Sequence, residues 1–251
     1  GVQPYNNIGV YSQNMEQYLY ADFAAYANNA VMVPMYATSS PTQVKYIVED
    51  AKINLIFVGE QFQYNNAHKV QQDSKMPVKL IVFDRNVVLQ PEDKTTVYFD
   101  DFITTGDNSE SIALVNARMR QLKDNDLATI IYTSGTTGEP KGVMLTHSNY
   151  QKAFEIHDIR ITCLSDKDLS MCFLPLTHIF EKAWTYYCLY KGITIAINRV
   201  PSEIRETIKQ VRPTLMSNVP RFWEKVYEGV KETIDNASGF IKWLFKDSVR
   251  T

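Results

Sequence analysis

Three of the chain's ten glycines fall within the eleven residues Tyr132-Thr133-Ser134-Gly135-Thr136-Thr137-Gly138-Glu139-Pro140-Lys141-Gly142. Four hydroxyls, on Thr133, Ser134, Thr136 and Thr137, and one ammonium, on Lys141, share the stretch. That mixture suits a polyphosphate. Glycine lets backbone N–H groups approach anionic oxygens without a Cβ in the way. Hydroxyls add neutral donors, and a lysine adds a compact positive charge. Pro140 fixes its own φ and biases Glu139 towards extended backbone, which stiffens one arm. The commoner phosphate pattern GxxxxGK[ST], started at Gly135, needs Gly, Lys and Ser or Thr at 140–142, where the sequence has Pro140, Lys141 and Gly142. The stretch also runs into Val143-Met144-Leu145, which reads as a strand, so no helix N-terminus faces the phosphate. A Walker-type kinase or ATPase is disfavoured, as is a Rossmann dinucleotide site, for want of GxGxxG. On composition alone, a surface connection whose glycines only serve turns competes with the phosphate reading.

Other reactive side chains are scattered. His68, His147 and His157 read as ordinary structural histidines, and so does His178 between Thr177 and the apolar Ile179 and Phe180. Glu181 does not complete an HExxH pattern with His178, so a zinc hydrolase is not supported and no metal ligands are assigned. Cys163, Cys172 and Cys188 form no CxxC and cannot all pair, which fits buried thiols in a reducing compartment. Trp184, Tyr186, Tyr187 and Tyr190 make an aromatic stripe near helical spacing. Core packing explains it first, with the wall of an acyl channel as the second reading. Arg221 reads as a surface or salt-bridging residue.

Short β-branched runs bounded by turn residues predict strands at Ile8–Tyr11, Ala30–Pro34, Asn54–Val58 and Lys79–Phe83. Helical segments over Asn14–Ala27, Pro41–Ala51 and Gln61–Gln72 lie between them. The second starts with Ser40 as cap and Pro41 in the first turn. Residues 86–108 read as an irregular surface excursion. A helix over Ser109–Lys123, strands Leu127–Tyr132 and Val143–Leu145, a helix over Ser148–Ile159 and a strand over Leu169–Phe173 continue the alternation. Helices at Ile179–Tyr190, Ser202–Val211 and Arg221–Thr233 follow, with strands at Ile193–Ile197 and Thr214–Ser217, and a helix-rich end over 240–249. Strand–helix–strand repetition implies parallel pairing. The expected fold class is α/β, layered sheets with flanking helices in one unit.

At 251 residues, 45% hydrophobic and 22% charged, the chain can bury a substantial core. A net charge of −2 argues against a nucleic-acid binder, which needs a basic face. No apolar run approaches the roughly 20 residues that span a bilayer, and no signal-peptide pattern opens the chain.

The segment YTSGTTGEPKGVMLTH closely resembles the phosphate loop of the adenylate-forming superfamily. FLPLTHIFEKAWTYYCLYKGITI (173–195) and RPTLMSNVPRFWEKVYEGV (212–230) are similar to core motifs of its long-chain fatty-acid–CoA ligases, as is the opening segment. The resemblance spans nearly the whole chain. It implies an acyl-CoA synthetase-like fold and two-step chemistry, in which ATP and a fatty acid form an acyl-adenylate before CoA takes the acyl group as a thioester. It places Thr133, Ser134, Gly135, Thr136, Thr137, Gly138 and Lys141 around the β- and γ-phosphates. It places His178 beside the carboxylate and adenylate, as a donor or cation. ATP, Mg²⁺ and CoA follow as partners, CoA and Mg²⁺ only for a full-length enzyme. Cytoplasmic location, with peripheral membrane contact compatible with a lipid substrate, follows too.

Family motifs expected further on are missing. No aromatic-Gly-x-Thr-Glu follows Val230. Thr105-Gly106-Asp107 has the letters of the ribose-binding TGD motif but precedes the phosphate loop. The C-terminal domain with the adenylation lysine is absent. The expectation is therefore that residues 1–251 form the N-terminal portion of the adenylation domain and are inactive alone. Two alternatives remain: another adenylate-forming ligase, for an aryl, short-chain or amino acid, and a truncated non-catalytic nucleotide-binding module.

Overall fold

The structure is a computed structural model that describes residues 2–106, 108–133, 139–237 and 239. The chain separates into two compact units, 1–215 and 216–251. The first is built on a seven-stranded sheet in the order β5-β4-β3-β1-β2-β6-β7. Its strands are β1 (Asn7–Tyr11), β2 (Val31–Met35), β3 (Leu55–Val58), β4 (Lys79–Val82), β5 (Val97–Tyr98), β6 (Leu127–Thr133) and β7 (Lys141–Thr146). All neighbours pair in parallel except β6 and β7, which form an antiparallel hairpin.

The central strands are apolar on both faces because helices cover both. Val10, Met32, Leu55, Phe57 and Ile81 enter one core cluster, with Tyr18, Leu19 and Ala25 of helix α1 (Glu16–Ala27). Their neighbours in sequence, Tyr11, Val33, Ile56, Val58 and Leu80, enter the other. Helices α2 (Pro41–Asp50) and α3 (Gln61–Asp73) cover that second face through Val44, Ile47, Val48, Tyr64 and Ala67. The Ser40 cap holds as expected: its side chain accepts the Gln43 N–H at 3.3 Å while Gln43 Oε1 accepts the Ser40 N–H at 2.9 Å.

A second, two-stranded parallel sheet pairs β8 (Leu169–Cys172) with β9 (Thr194–Ile197). Helix α7 (Ile179–Tyr190) connects them, and α6 (His147–Arg160) precedes β8. Helices α5 (Ser109–Gln121) and α8 (Ile204–Val211) complete the first unit on its surface. In the second unit, α9 (Pro220–Asp235) begins with Pro220, and Arg221 pairs with Glu224 at 2.9 Å, the salt-bridging role expected of it.

Three expectations need correction. The chain does not form one unit, because it divides after residue 215. Residues 86–108 are not irregular throughout: β5 adds to the sheet edge and α4 (Phe99–Thr104) follows at once. Asp93 organises the approach, accepting hydrogen bonds from Thr95, Thr96 and the Tyr64 hydroxyl. Local side-chain bonds of this kind have no periodicity to read. The strand expected at Thr214–Ser217 is reduced to a single bridge between Leu215 and Ser170. The helix-rich end over 240–249 lies outside the described residues.

Candidate active site

The β6–β7 hairpin sets the two ends of the glycine- and threonine-rich loop. Thr133 and Lys141 face each other as the last register pair, and both are exposed. Ser134, Gly135, Thr136, Thr137 and Gly138 lie outside the described residues. Among the described residues, no carboxylate pairs with the Lys141 ammonium. Because β6 runs parallel to β2, Thr133 ends its strand on the sheet's carboxyl edge, where α/β sheets generally receive ligands.

Helix α2 braces this base. The Tyr132 hydroxyl donates to Asp50 at 2.5 Å, and burial together with that carboxylate raises the phenol pKa. Tyr46 donates to the Pro140 carbonyl at 3.2 Å, and the two tyrosine rings meet edge to face at 6.4 Å. Gly142 is tightly flanked: a Cβ there would stand 2.8 Å from Ile130 Cγ2 and 3.3 Å from Tyr132 Cζ, so a larger residue must displace a neighbouring side chain. The loop thus springs from a rigid frame.

His178 sits on a different scaffold, at the carboxyl end of β8, as the N-cap of α7. Its Nδ1 accepts the Phe180 N–H at 3.2 Å. An accepting Nδ1 puts the neutral ring's proton on Nε2, and the side chain is exposed. The residue can therefore offer an N–H to an incoming oxygen without first becoming a cation. The hydroxyl of neighbouring Thr177 is buried and has no hydrogen-bond partner among the described residues.

Three residues around this turn were not singled out by sequence. Asn14, between β1 and α1, donates to the Leu174 carbonyl at 2.8 Å and accepts the Leu176 N–H at 2.9 Å. Asp22 of α1 and Lys182 of α7 form a fully buried ion pair, and the Tyr186 hydroxyl donates to Asp22 at 2.5 Å. Burial pushes the Asp22 pKa up and the Lys182 pKa down, with their mutual attraction opposing both shifts. A charged residue amid the apolar positions of each helix was the available signal, but each has an ordinary surface explanation when read alone.

The aromatic stripe divides. Tyr186 and Tyr187 are buried in the helix layer, and Trp184 Nε1 donates to Ser170 Oγ at 3.1 Å. Tyr190 lines an open cavity of about 390 Å³ between α1, α6 and α7, with Phe23, Tyr26, Tyr150, Phe154 and Tyr186 in its wall. The other histidines have local roles: His68 packs among Gln71, Gln72 and Asp93, and His157 lies against Trp184 and Tyr187. Cys172 and Cys188 are the buried thiols expected, but Cys163 is exposed, contrary to that expectation. No group of three or more His, Cys, Asp or Glu among the described residues could hold a metal ion. No helix among the described residues is long and apolar enough to cross a membrane.

The AMP-binding enzyme family matches residues 1–245. A long-chain-fatty-acid–CoA ligase of Rattus norvegicus is 31% identical over 253 residues, covering 98% of this chain and 38% of the relative. A peroxisomal long-chain acyl-CoA synthetase of Arabidopsis thaliana is 30% identical over 254 residues, covering 98% of this chain and 35% of its own length. The chain thus spans well under half of the relatives it matches. Among solved structures, o-succinylbenzoate CoA synthetase of Bacillus subtilis, determined with its acyl-adenylate intermediate, superposes with a TM-score of 0.64 at 18% identity. That match covers 90% of this chain and 52% of the synthetase, and it shows a common fold.

Proposed function

Because this chain belongs to the AMP-binding enzyme family, we propose that residues 1–251 are the N-terminal portion of the adenylation domain of a long-chain fatty-acid–CoA ligase. The observation that carries the reading is the braced hairpin, which presents Thr133 and Lys141 together at the carboxyl edge of the sheet, with no carboxylate among the described residues paired to the lysine. The long-chain assignment rests on the named relatives and on the 173–195 segment. ATP and a fatty acid are the substrates of the first step, and CoA enters in the full-length enzyme.

Adenylation brings a carboxylate to an α-phosphorus that carries negative oxygens, so the barrier is largely electrostatic. In this reading the loop from Thr133 to Gly138 gives N–H and O–H donors to the β- and γ-phosphates. Lys141 neutralises charge that grows on the departing pyrophosphate. His178 gives its Nε2–H to an oxygen of the carboxylate or adenylate and holds it in line. Mg²⁺, when bound with the nucleotide, supplies Lewis-acid polarisation of the phosphates.

The 251 residues hold only part of this constellation, and positioned groups act together. The chain alone is expected to be silent in ATP–pyrophosphate exchange, while the full-length ligase exchanges best with long acyl chains. Lys141→Ala in the full-length ligase should lower exchange roughly a hundredfold. An unchanged rate would remove the phosphate-loop assignment, and a preference for aryl or amino acids would remove the long-chain substrate. A location in the cytoplasm with peripheral membrane contact belongs to the same reading, and fractionation of the full-length protein tests it.

A further inference from the structure

We propose that Asn14 is a positioning residue for His178, acting through the backbone of the turn between β8 and α7. The inference rests on the reading of His178 as the donor to the adenylate. Asn14 is buried, and its single amide spans the turn in both directions, donating to Leu174 O at 2.8 Å and accepting from Leu176 N at 2.9 Å. A side-chain amide used in this way mimics a backbone partner for the turn.

The consequence passes along a short chain of bonds. With Leu174 and Leu176 held, the intervening Pro175 carbonyl is set to accept the His178 N–H at 2.9 Å. His178 then caps α7, and its Nδ1 receives the Phe180 N–H at 3.2 Å. Four residues beyond His178, Lys182 is fixed to Asp22, and Asp22 belongs to the helix that Asn14 precedes. The His178 turn is therefore pinned on both sides by one element, α1 with its leading residue. Its ring is left with Nδ1 occupied by the Phe180 N–H, which places the neutral ring's proton on Nε2. Removal of the Asn14 amide frees the first of the two pins and leaves the second in place. The expected result is a ring that samples both tautomers, within a fold that persists.

The test uses the 251-residue chain with ¹⁵N-labelled histidine. Ring nitrogen shifts report the tautomer of His178 directly, and amide exchange reports the Leu176 N–H. Wild-type protein should show one Nε2–H tautomer and a slowly exchanging Leu176 amide. Asn14→Ala and Asn14→Asp should shift the ring signals towards a tautomer average. Ser40→Ala, which weakens the fold at the α2 cap, should leave them unmoved. Variants that stay folded with unaltered His178 shifts would overturn the proposal. If neither Asn14 variant folds, the wild-type protein still decides: a His178 tautomer average or a freely exchanging Leu176 amide overturns it. A second arm titrates a palmitoyl-sulfamoyl-adenosine, a stable mimic of the acyl-adenylate. In the full-length ligase, Asn14→Ala should weaken this binding on the order of tenfold to a hundredfold, since misplacement of a contacting group by an ångström has effects of that size. If the full-length ligase fails to bind the mimic while Asn14→Ala still moves the ring signals in the chain, the ligase reading falls and the positioning role stands.

Discussion

Gly142 shows how a single residue shapes the candidate site from outside it. Its neighbours Ile130 and Tyr132 come from the opposite strand of the hairpin, and Tyr132 is itself tied to Asp50. A methyl group at 142 must displace one of them, and the tyrosine cannot yield without loosening its bond to α2. Gly142→Ala is therefore expected to cost roughly 1–3 kcal/mol of stability, in the range of overpacked sites. Urea unfolding of the purified chain measures it, and a loss below a few tenths would show that the frame is softer than described. The proposed phosphate-loop residues stand out in the sequence because their chemistry is contiguous: a run of glycines, hydroxyls and a lysine needs no fold to be noticed. Asn14 was not, because the bonds that give it meaning join positions about 160 residues apart. His178 lay between these cases, visible through its motif, while its cap role and tautomer needed the Phe180 N–H to be seen.

At the scale of elements, the segment leading into β5 is held by one carboxylate. Burial alone would raise the Asp93 pKa, but hydrogen bonds from Thr96, Thr95 and Tyr64 overrule it and hold the group down to about 2. A folded pKa below the unfolded value of about 3.9 means that the ionised form favours the native state. This contribution is complete above about pH 4 and disappears as the pH falls from there through about 2. Its size should be on the order of 1–2 kcal/mol. Urea midpoints at pH 5 and pH 3 would reveal it, and Asp93→Asn should reduce the difference between them. An identical pH dependence in both proteins would show that another group carries it. The strands and helices themselves were readable from alternation and capping, and α2 began where Ser40 and Pro41 said it would. The edge strand β5 escaped because two residues carry no period.

In the whole molecule, the Asp22–Lys182 pair ties α1 to the helix that joins the strands of the second sheet. Neither side chain reaches solvent, so each depends on the other for neutralisation. Lys182→Met should destabilise the chain by about 3–5 kcal/mol, because it strands a buried carboxylate. A double variant with Asp22→Leu should recover much of that loss, since apolar replacements of buried pairs are often close to neutral. Thermal or urea unfolding of the three proteins tests both statements, and a Lys182→Met protein as stable as wild type would show that Asp22 finds another partner. The layered α/β class was legible from the alternation of strands and helices. The partition into two sheets was not, since nothing in a short apolar run names its neighbour.

The order of strands also sets an order of events. β1 to β5 pair among themselves and are complete within the first hundred residues, whereas β6 joins at β2 through the Met32–Thr129 rung, roughly a hundred residues along the chain. Closing so long a loop is entropically slow relative to the local pairings. During synthesis, the five-strand half can assemble on the ribosome with the β2 edge open, and the β6–β7 hairpin arrives afterwards as a late addition. The edge that β6 and β7 complete is thus the last part of the sheet to be added to a scaffold that is already standing.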